Sequence, residues 1–124
     1  MAITAYDASQ TVVDEAETAA CGSHLACLLI DRQEAERMAT VLKAIADPTR
    51  LQILKLIQRS PDGEACVCDL TVCLGLRQPT VSHHLKLMTD AGLLNRERRG
   101  TWSYFSINHQ GLSRVRLILE PTGP

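Results

Sequence analysis

Aromatic side chains are scarce in this chain of 124 residues, which has one Trp, two Tyr and one Phe. A core must therefore be built from Leu, Ile, Val, Ala and Met, and a domain of this modest length would gain from burying apolar faces in a dimer. No run approaches the ~20 apolar residues of a membrane span, and the N-terminus lacks the pattern of a secretory signal. We therefore expect a cytoplasmic protein that has no membrane partner.

The sequence also lacks the motifs of common enzyme classes. It has no Cys-X-X-Cys, no glycine-rich phosphate loop and no constellation of acid and base residues, so we expect that it is not an enzyme. Five cysteines are present. In a reducing compartment an odd number of cysteines favours metal binding or redox chemistry over a disulfide framework.

A basic net charge is missing as well, since the formal charge at pH 7 is −1. Residues 1–40 hold seven acids and two bases, a balance of −5, whereas residues 71–116 hold two acids and seven bases, a balance of +5. This distribution predicts that only the second half of the chain faces a polyanion.

Apolar spacing predicts the organisation of the chain. Residues 1–30 have no clean period and are interpreted as an N-terminal arm that carries Cys21 and Cys27. Residues 31–124 are interpreted as one DNA-binding and dimerisation domain. Helical periods are expected over about 31–46, 48–59, 68–74 and 78–91, with Asp47 capping the second helix and Pro48 in its first turn.

A tight turn at Gly75, Leu76 and Arg77 joins the third and fourth predicted helices, which is the pattern of a helix-turn-helix. A period of two then predicts a hairpin over about 94–107 with a turn at Gly100, and a last helix is expected from Gly111 onward. The predicted fold is mainly α with a small β-hairpin, in the order α-α-α-α-β-β-α of a winged helix-turn-helix.

Polar side chains on the fourth helix and the hairpin are the candidates for DNA contact. Gln suits adenine, Ser and Thr suit base edges or phosphates, and Lys and Arg neutralise phosphates. The candidates are Gln78, Thr80, Ser82, His83 and Lys86 on the helix and Arg96, Arg98 and Arg99 on the hairpin. Each alone is typical of a solvated surface, but the ordered combination of tight turn, polar helix and basic hairpin favours double-stranded DNA as a partner.

Four runs, in this order, resemble the ArsR/SmtB family of metal-sensing repressors and in particular its arsenic-responsive branch. They are ADPTRL (46–51), CVCDL (66–70), QPTVSHHLK (78–86) and ERRGTWSYF (97–105). The resemblance extends over about 31–119. It implies a homodimer that pairs through its first and last helices, binds inverted repeats in promoter DNA and dissociates when metal binds.

Cys66 and Cys68 are candidate ligands for a thiophilic ion. In a regular helix this spacing points two side chains ~200° apart, so the sulfurs converge only if Cys66 precedes the helix or if the first turn distorts on binding. Cys73 is too far along or around the same helix to chelate with either residue, and it is interpreted as a core position.

Two sulfurs rarely complete a site, and the source of a third is suggested by the resemblance. The compact arsenic-sensing pattern places a third cysteine where this chain has Thr71. Other family members supply arm cysteines, often from the opposite protomer, which implies Cys21 as the third ligand here. Cys27 is the candidate for a fourth.

Thiolates select soft ions, and the number of sulfurs favours particular ones. Three sulfurs suit the pyramidal coordination of As(III) or Sb(III), whereas four suit Cd(II), Pb(II) or Zn(II). The resemblance of the hairpin to arsenic-responsive members favours arsenite as inducer. A thiol redox switch on the same fold is the alternative in which oxidation replaces metal capture.

Overall fold

The computed structural model describes residues 23–121. The chain divides into two compact units, Met1–Asp31 and Arg32–Pro124. In the described part of the first unit, one helical turn at Ser23–Ala26 leads into chain whose side chains are exposed as far as Asp31. No helix in the described part of the chain has both the length and the apolar composition needed to cross a bilayer.

The second unit is mainly helical and carries one small sheet. Its described α-helices are α1 (Arg32–Ile45), α2 (Pro48–Arg59), α3 (Val67–Leu74), α4 (Gln78–Asp90) and α5 (His109–Leu119), and a single 3-10 turn at Pro61–Gly63 follows α2. Its described strands are β1 (Glu64–Cys66), β2 (Leu94–Arg99) and β3 (Trp102–Ile107). The predicted winged helix-turn-helix order is confirmed, and the structure adds strand β1, which is too short for a period of two to be recognised in the sequence.

Local chemistry fixes where α2 begins. The Asp47 carboxylate accepts a hydrogen bond of 3.0 Å from the backbone N–H of Arg50, and Pro48 occupies the first turn, where its missing N–H costs nothing. The predicted cap is therefore confirmed. This hydrogen bond also lowers the pKa of the Asp47 carboxyl below its ordinary value.

The turn between α3 and α4 depends on a glycine. Gly75 has φ +65°, a left-handed backbone conformation that residues other than glycine rarely adopt. Its N–H donates to the carbonyls of Thr71 and Val72. The predicted inward face of α4 is also confirmed, since Val81, Leu85 and Met88 are fully buried. This burial turns the opposite side of α4 toward solvent.

The sheet has the order β1-β3-β2 and is antiparallel throughout. Strand β3 lies in the centre, so the hairpin of β2 and β3, which we call the wing, is bonded through β3 to the segment that precedes α3. Cys66 pairs with Tyr104 in this ladder, and Arg99 pairs with Trp102, two residues earlier in β3. The wing is thus an extension of the sheet that carries the first of the paired cysteines.

Helix α5 approaches the turn after α4 so closely that only glycine fits at their contact. A Cβ atom on Gly111 would overlap the carbonyl oxygen of Gly92, two residues after the end of α4. Asn108 caps α5 by accepting from the Gly111 N–H at 3.3 Å, and the Asn108 N–H donates to the carbonyl of Leu93 at 2.8 Å. These contacts fix the start of α5 against the end of α4.

We expect Gly111→Ala to destabilise the fold by about 1–3 kcal/mol, because the added methyl group must displace backbone rather than a flexible side chain. Urea unfolding followed by circular dichroism measures the change. Ser113→Ala, at an exposed position of the same helix, is the matched control and should differ little from wild type. Equal stability of the two variants would show that the backbone at Gly92 moves aside with no loss of unfolding free energy.

Candidate thiol site and nucleic-acid interface

The sulfur atoms of Cys66 and Cys68 lie 3.0 Å apart, although the two residues are only two positions apart in the chain. The backbone explains this proximity. Cys66 is the last residue of β1 and has extended dihedral angles (φ −82°, ψ 149°), while the helix starts at the next residue. Of the two geometries that the spacing allowed, the structure therefore has the one in which Cys66 precedes the helix.

The two thiols differ in their surroundings. Cys66 is buried, with 4% of its surface exposed, and Cys68 is exposed on the first turn of α3. The thiol contact with Cys66, followed by partial burial and the nearby Asp69, raises the pKa of Cys68 above its ordinary value. The pair is thus anchored on its buried side and open to solvent on the other.

Of the three remaining cysteines, the structure describes Cys73 and Cys27. The interpretation of Cys73 as a core residue is wrong: it is exposed and lines a shallow groove with residues of α2. It faces out because Leu70 and Leu74, four residues apart, take the inward face of this short helix. Cys27 is exposed in the first unit, and Cys21 lies outside the described residues.

Among the residues that the structure describes, no group of three His, Cys, Asp or Glu side chains converges on a common point. The donor set of the thiol pair nevertheless fits a thiophilic ion, because two sulfurs are already within contact of each other and one side is open. The thiol pair supplies two ligands. At least one coordination position of such an ion is therefore left for a further donor.

All the predicted DNA-contacting residues of α4 have exposed side chains. They are Gln78, Thr80, Ser82, His83 and Lys86. Ser82 and Lys86 line a groove of about 420 Å³ between α4 and the wing, together with Arg96 of β2. Lys86 also contacts Asp90 at 3.2 Å, but both side chains are largely exposed, and such a surface pair exchanges readily for a phosphate.

The three arginines of the wing have different environments. The Arg96 guanidinium donates to the hydroxyl of Ser103 at 3.1 and 3.3 Å on the groove side. Arg98, two residues further along β2, lies on the same face as Arg96 by strand alternation and is exposed. Arg99 is held instead by the carboxylates of Glu64 and Glu97, whose charges offset its own.

Arg50 is a residue whose role the sequence pattern did not reveal. Its guanidinium donates to the carbonyl of Ala44 at the end of α1 at 2.5 Å and lies 3.3 Å from Nδ1 of His84 on α4. One side chain therefore joins α1, α2 and α4. Its position in the ADPTRL run was the available signal, but no local period indicates a contact with a residue 34 positions away.

Residues 47–96, from the cap of α2 to the groove-facing arginine of β2, match the family model described as "Bacterial regulatory protein, arsR family". The chain is 41% identical over 85 residues to MJ1325 of Methanocaldococcus jannaschii, an HTH-type transcriptional regulator, covering 68% of this chain and 93% of that one. The chain belongs to the ArsR family. This membership agrees with the expectation that it is a transcriptional regulator and not an enzyme.

One further relative and one solved structure have names that bear on function and assembly. An arsenical resistance operon repressor of Staphylococcus xylosus is 35% identical over 85 residues, which cover 68% of this chain and 79% of that repressor. The solution structure of the homodimeric winged helix-turn-helix DNA-binding domain of Mb0332 from Mycobacterium bovis superposes with a TM-score of 0.59 at 29% identity. The superposition covers 77% of this ArsR-family chain and 95% of the M. bovis domain.

The raised pKa of Cys68 predicts slow alkylation by iodoacetamide near neutral pH, because the thiolate is the reactive form. In Cys66→Ala the thiol contact is lost, so the pKa should fall and the midpoint of the alkylation rate against pH should shift to lower pH. Peptide mass spectrometry measures the rate at each cysteine. Cys73 in the same molecule is the control, and an unshifted Cys68 profile would contradict the assigned cause.

Proposed function

We propose that this ArsR-family chain is an arsenic-responsive repressor that binds an inverted repeat in promoter DNA as a homodimer. Capture of As(III) or Sb(III) by Cys66, Cys68 and a further thiol, which we assign to Cys21 of the arm, releases the DNA. Cys27 is the candidate for a fourth sulfur. The 3.0 Å contact between the Cys66 and Cys68 sulfurs, directly before the helix-turn-helix, is the observation that carries the proposal.

The raised pKa of Cys68 favours arsenous acid over divalent cations as the captured ligand. Each thiol exchanges with one hydroxyl of arsenous acid: a sulfur–arsenic bond forms, an arsenic–oxygen bond breaks, and the thiol proton leaves in a water molecule. This exchange releases no net proton, whereas binding Cd(II), Pb(II) or Zn(II) requires the thiol protons to be lost. The raised pKa of Cys68 therefore penalises the divalent ions and not the exchange with arsenous acid.

Helices α1 and α5 support the homodimer. Among the fourteen residues of α1, Ala44 alone is buried, and the apolar side chains of Met38 and Val41 line a groove of about 410 Å³ with Ile118 of α5. Leu117 and Leu119 on the same helix are exposed as well. A second copy that pairs through these two helices would bury this surface, and the homodimeric M. bovis domain shows that a related fold assembles.

The position of the thiol pair suggests how capture releases DNA. Cys66 and Cys68 flank the first residue of α3, and α3 is joined to α4 by the short hydrogen-bonded turn at Gly75. Binding both sulfurs to one ion changes the distance between them, and with it the geometry at the start of α3 and the position of α4. A shift of this kind in each half of a dimer misaligns both recognition helices, and the affinity falls.

Cys66→Ser and Cys68→Ser should each bind promoter DNA with an affinity close to that of the wild type but resist release by arsenite. Fluorescence anisotropy of a labelled promoter fragment, measured anaerobically with excess reductant, gives the concentration of arsenite that releases half of the DNA. Cys73→Ser is the matched control and should be released as the wild type is.

Release of either site variant at the wild-type arsenite concentration would show that the ligands are misassigned. If arsenite fails to release the wild type while a mild oxidant succeeds, the redox alternative is correct. Release by Cd(II), Pb(II) or Zn(II) but not by arsenite would assign the site to divalent ions.

Arg98→Ala should weaken operator binding and reduce the slope of log Kd against log salt concentration by about one, because one phosphate contact is lost. Lys55→Ala is the matched control: it removes the same charge from α2, beside Cys73 and away from the groove between α4 and the wing. Its salt slope should equal that of the wild type. Anisotropy titrations at several salt concentrations measure both, and an unchanged slope for Arg98→Ala would remove this residue from the interface.

A further inference from the structure

Arg99 sits at the end of β2 but is tied to the start of β1. Its Nη1 and Nη2 atoms contact the two carboxylate oxygens of Glu64 at 2.6 and 2.8 Å, a bidentate pair that fixes both side chains. Glu64 is two residues before Cys66 on the same three-residue strand. The pair therefore connects the strand that carries the buried thiol to the last residue of β2, next to the wing turn.

The guanidinium of Arg99 also lies over the ring of Tyr104, with 4.5 Å between the guanidinium carbon and the ring centroid. Tyr104 is the residue that pairs with Cys66 across the β1–β3 ladder. Both ends of β1 are thus linked to the same arginine, through the Glu64 carboxylate at one end and through the Tyr104 ring at the other.

We propose that the Glu64–Arg99 ion pair transmits ligand capture at Cys66 and Cys68 to the wing, a role that rests on the proposed function. Both are positioning residues, and Arg99 acts here by holding the wing to β1 rather than by contacting DNA. This differs from its expected role as a DNA ligand, and the reason is its environment: two carboxylates already offset its charge.

The thiol distance indicates why capture moves β1. Two sulfurs that share one ion, each at ~2.3 Å in a tetrahedral or similar arrangement, lie farther apart than the 3.0 Å observed here. Capture therefore separates Cys66 from Cys68. Strand β1 has only three residues and is paired with β3 on one side alone. A displacement of Cys66 is therefore carried along this short strand to Glu64, and from Glu64 to Arg99.

Glu97 provides a matched comparison. Its carboxylate contacts Nη2 of Arg99 at 2.9 Å, so it also offsets the charge of the arginine, but it belongs to β2 and does not reach β1. Glu64→Gln and Glu97→Gln therefore remove the same charge from the same arginine, and only the first breaks the connection to the thiol strand.

The chain has a single tryptophan, Trp102, which pairs with Arg99 in the β2–β3 ladder and is 54% exposed. Its emission reports on the wing without any DNA present. We expect saturating arsenite to change the emission of wild-type protein and of Glu97→Gln, and to leave that of Glu64→Gln almost unchanged. Thiol titration of the arsenite-loaded proteins should show that all three capture the ligand.

Arsenite raises the Kd for promoter DNA by some factor in the wild type. This factor should be at least fivefold smaller in Glu64→Gln and within twofold of the wild-type factor in Glu97→Gln. Because the coupling between two ligands is reciprocal, DNA should raise the Kd for arsenite by a smaller factor in Glu64→Gln than in wild type, and the two reductions should be equal. If Glu64→Gln does not fold, Arg99→Lys, which keeps the charge but loses the bidentate geometry, replaces it in the emission experiment.

Equal responses of Glu64→Gln and Glu97→Gln would overturn the proposed transmission. The proposed function fails separately, if arsenite binds the wild type but does not release DNA. In that case a Trp102 response that depends on Glu64 would still support a connection between the thiol strand and the wing.

Discussion

The change from strand to helix between Cys66 and Val67 is the constraint on which the candidate site depends. In a continuous helix the two sulfurs would point to different sides, and in a continuous strand they would share a face but without a helix attached to it. Because the backbone changes at this residue, one sulfur is anchored in the sheet and the other moves with α3. Anything that binds both sulfurs acts on the sheet and on the helix-turn-helix at once.

Burial makes this arrangement asymmetric. Cys66 is enclosed by the core and pairs across the ladder with β3, whereas Cys68 faces solvent on the first turn of α3. A ligand therefore reaches the pair from the Cys68 side, and its binding to Cys66 acts on the sheet. The charges of the wing are separated as well: Arg96 lines the groove against α4, Arg98 shares its face of β2 by strand alternation, and Arg99 is bound to the strand that carries Cys66.

The sequence was sufficient for the features that local periods and caps determine. The Asp47 cap, the buried face of Val81, Leu85 and Met88, and the Gly75 turn were all predictable because each depends on neighbours within four residues. Strand β1 was not, since three residues cannot display alternation and its pairing with β3 depends on residues about 40 positions away. The contacts of Arg50 with His84 and of Glu64 with Arg99 are long-range for the same reason, and the exposure of Cys73 depends on which helix face the core takes.

The backbone contact of Gly111 with Gly92 bears on the geometry of the operator. Helix α5 belongs to the proposed dimer surface, and Gly92 ends the segment that holds the recognition helix. Because backbone meets backbone there, no flexible side chain can absorb a change in the position of α4 relative to α5 within one protomer. For the proposed homodimer, half-sites one whole turn of B-DNA apart, about 34–36 Å, would match such an arrangement, and inserting a single base pair between them would strain the protein or the DNA.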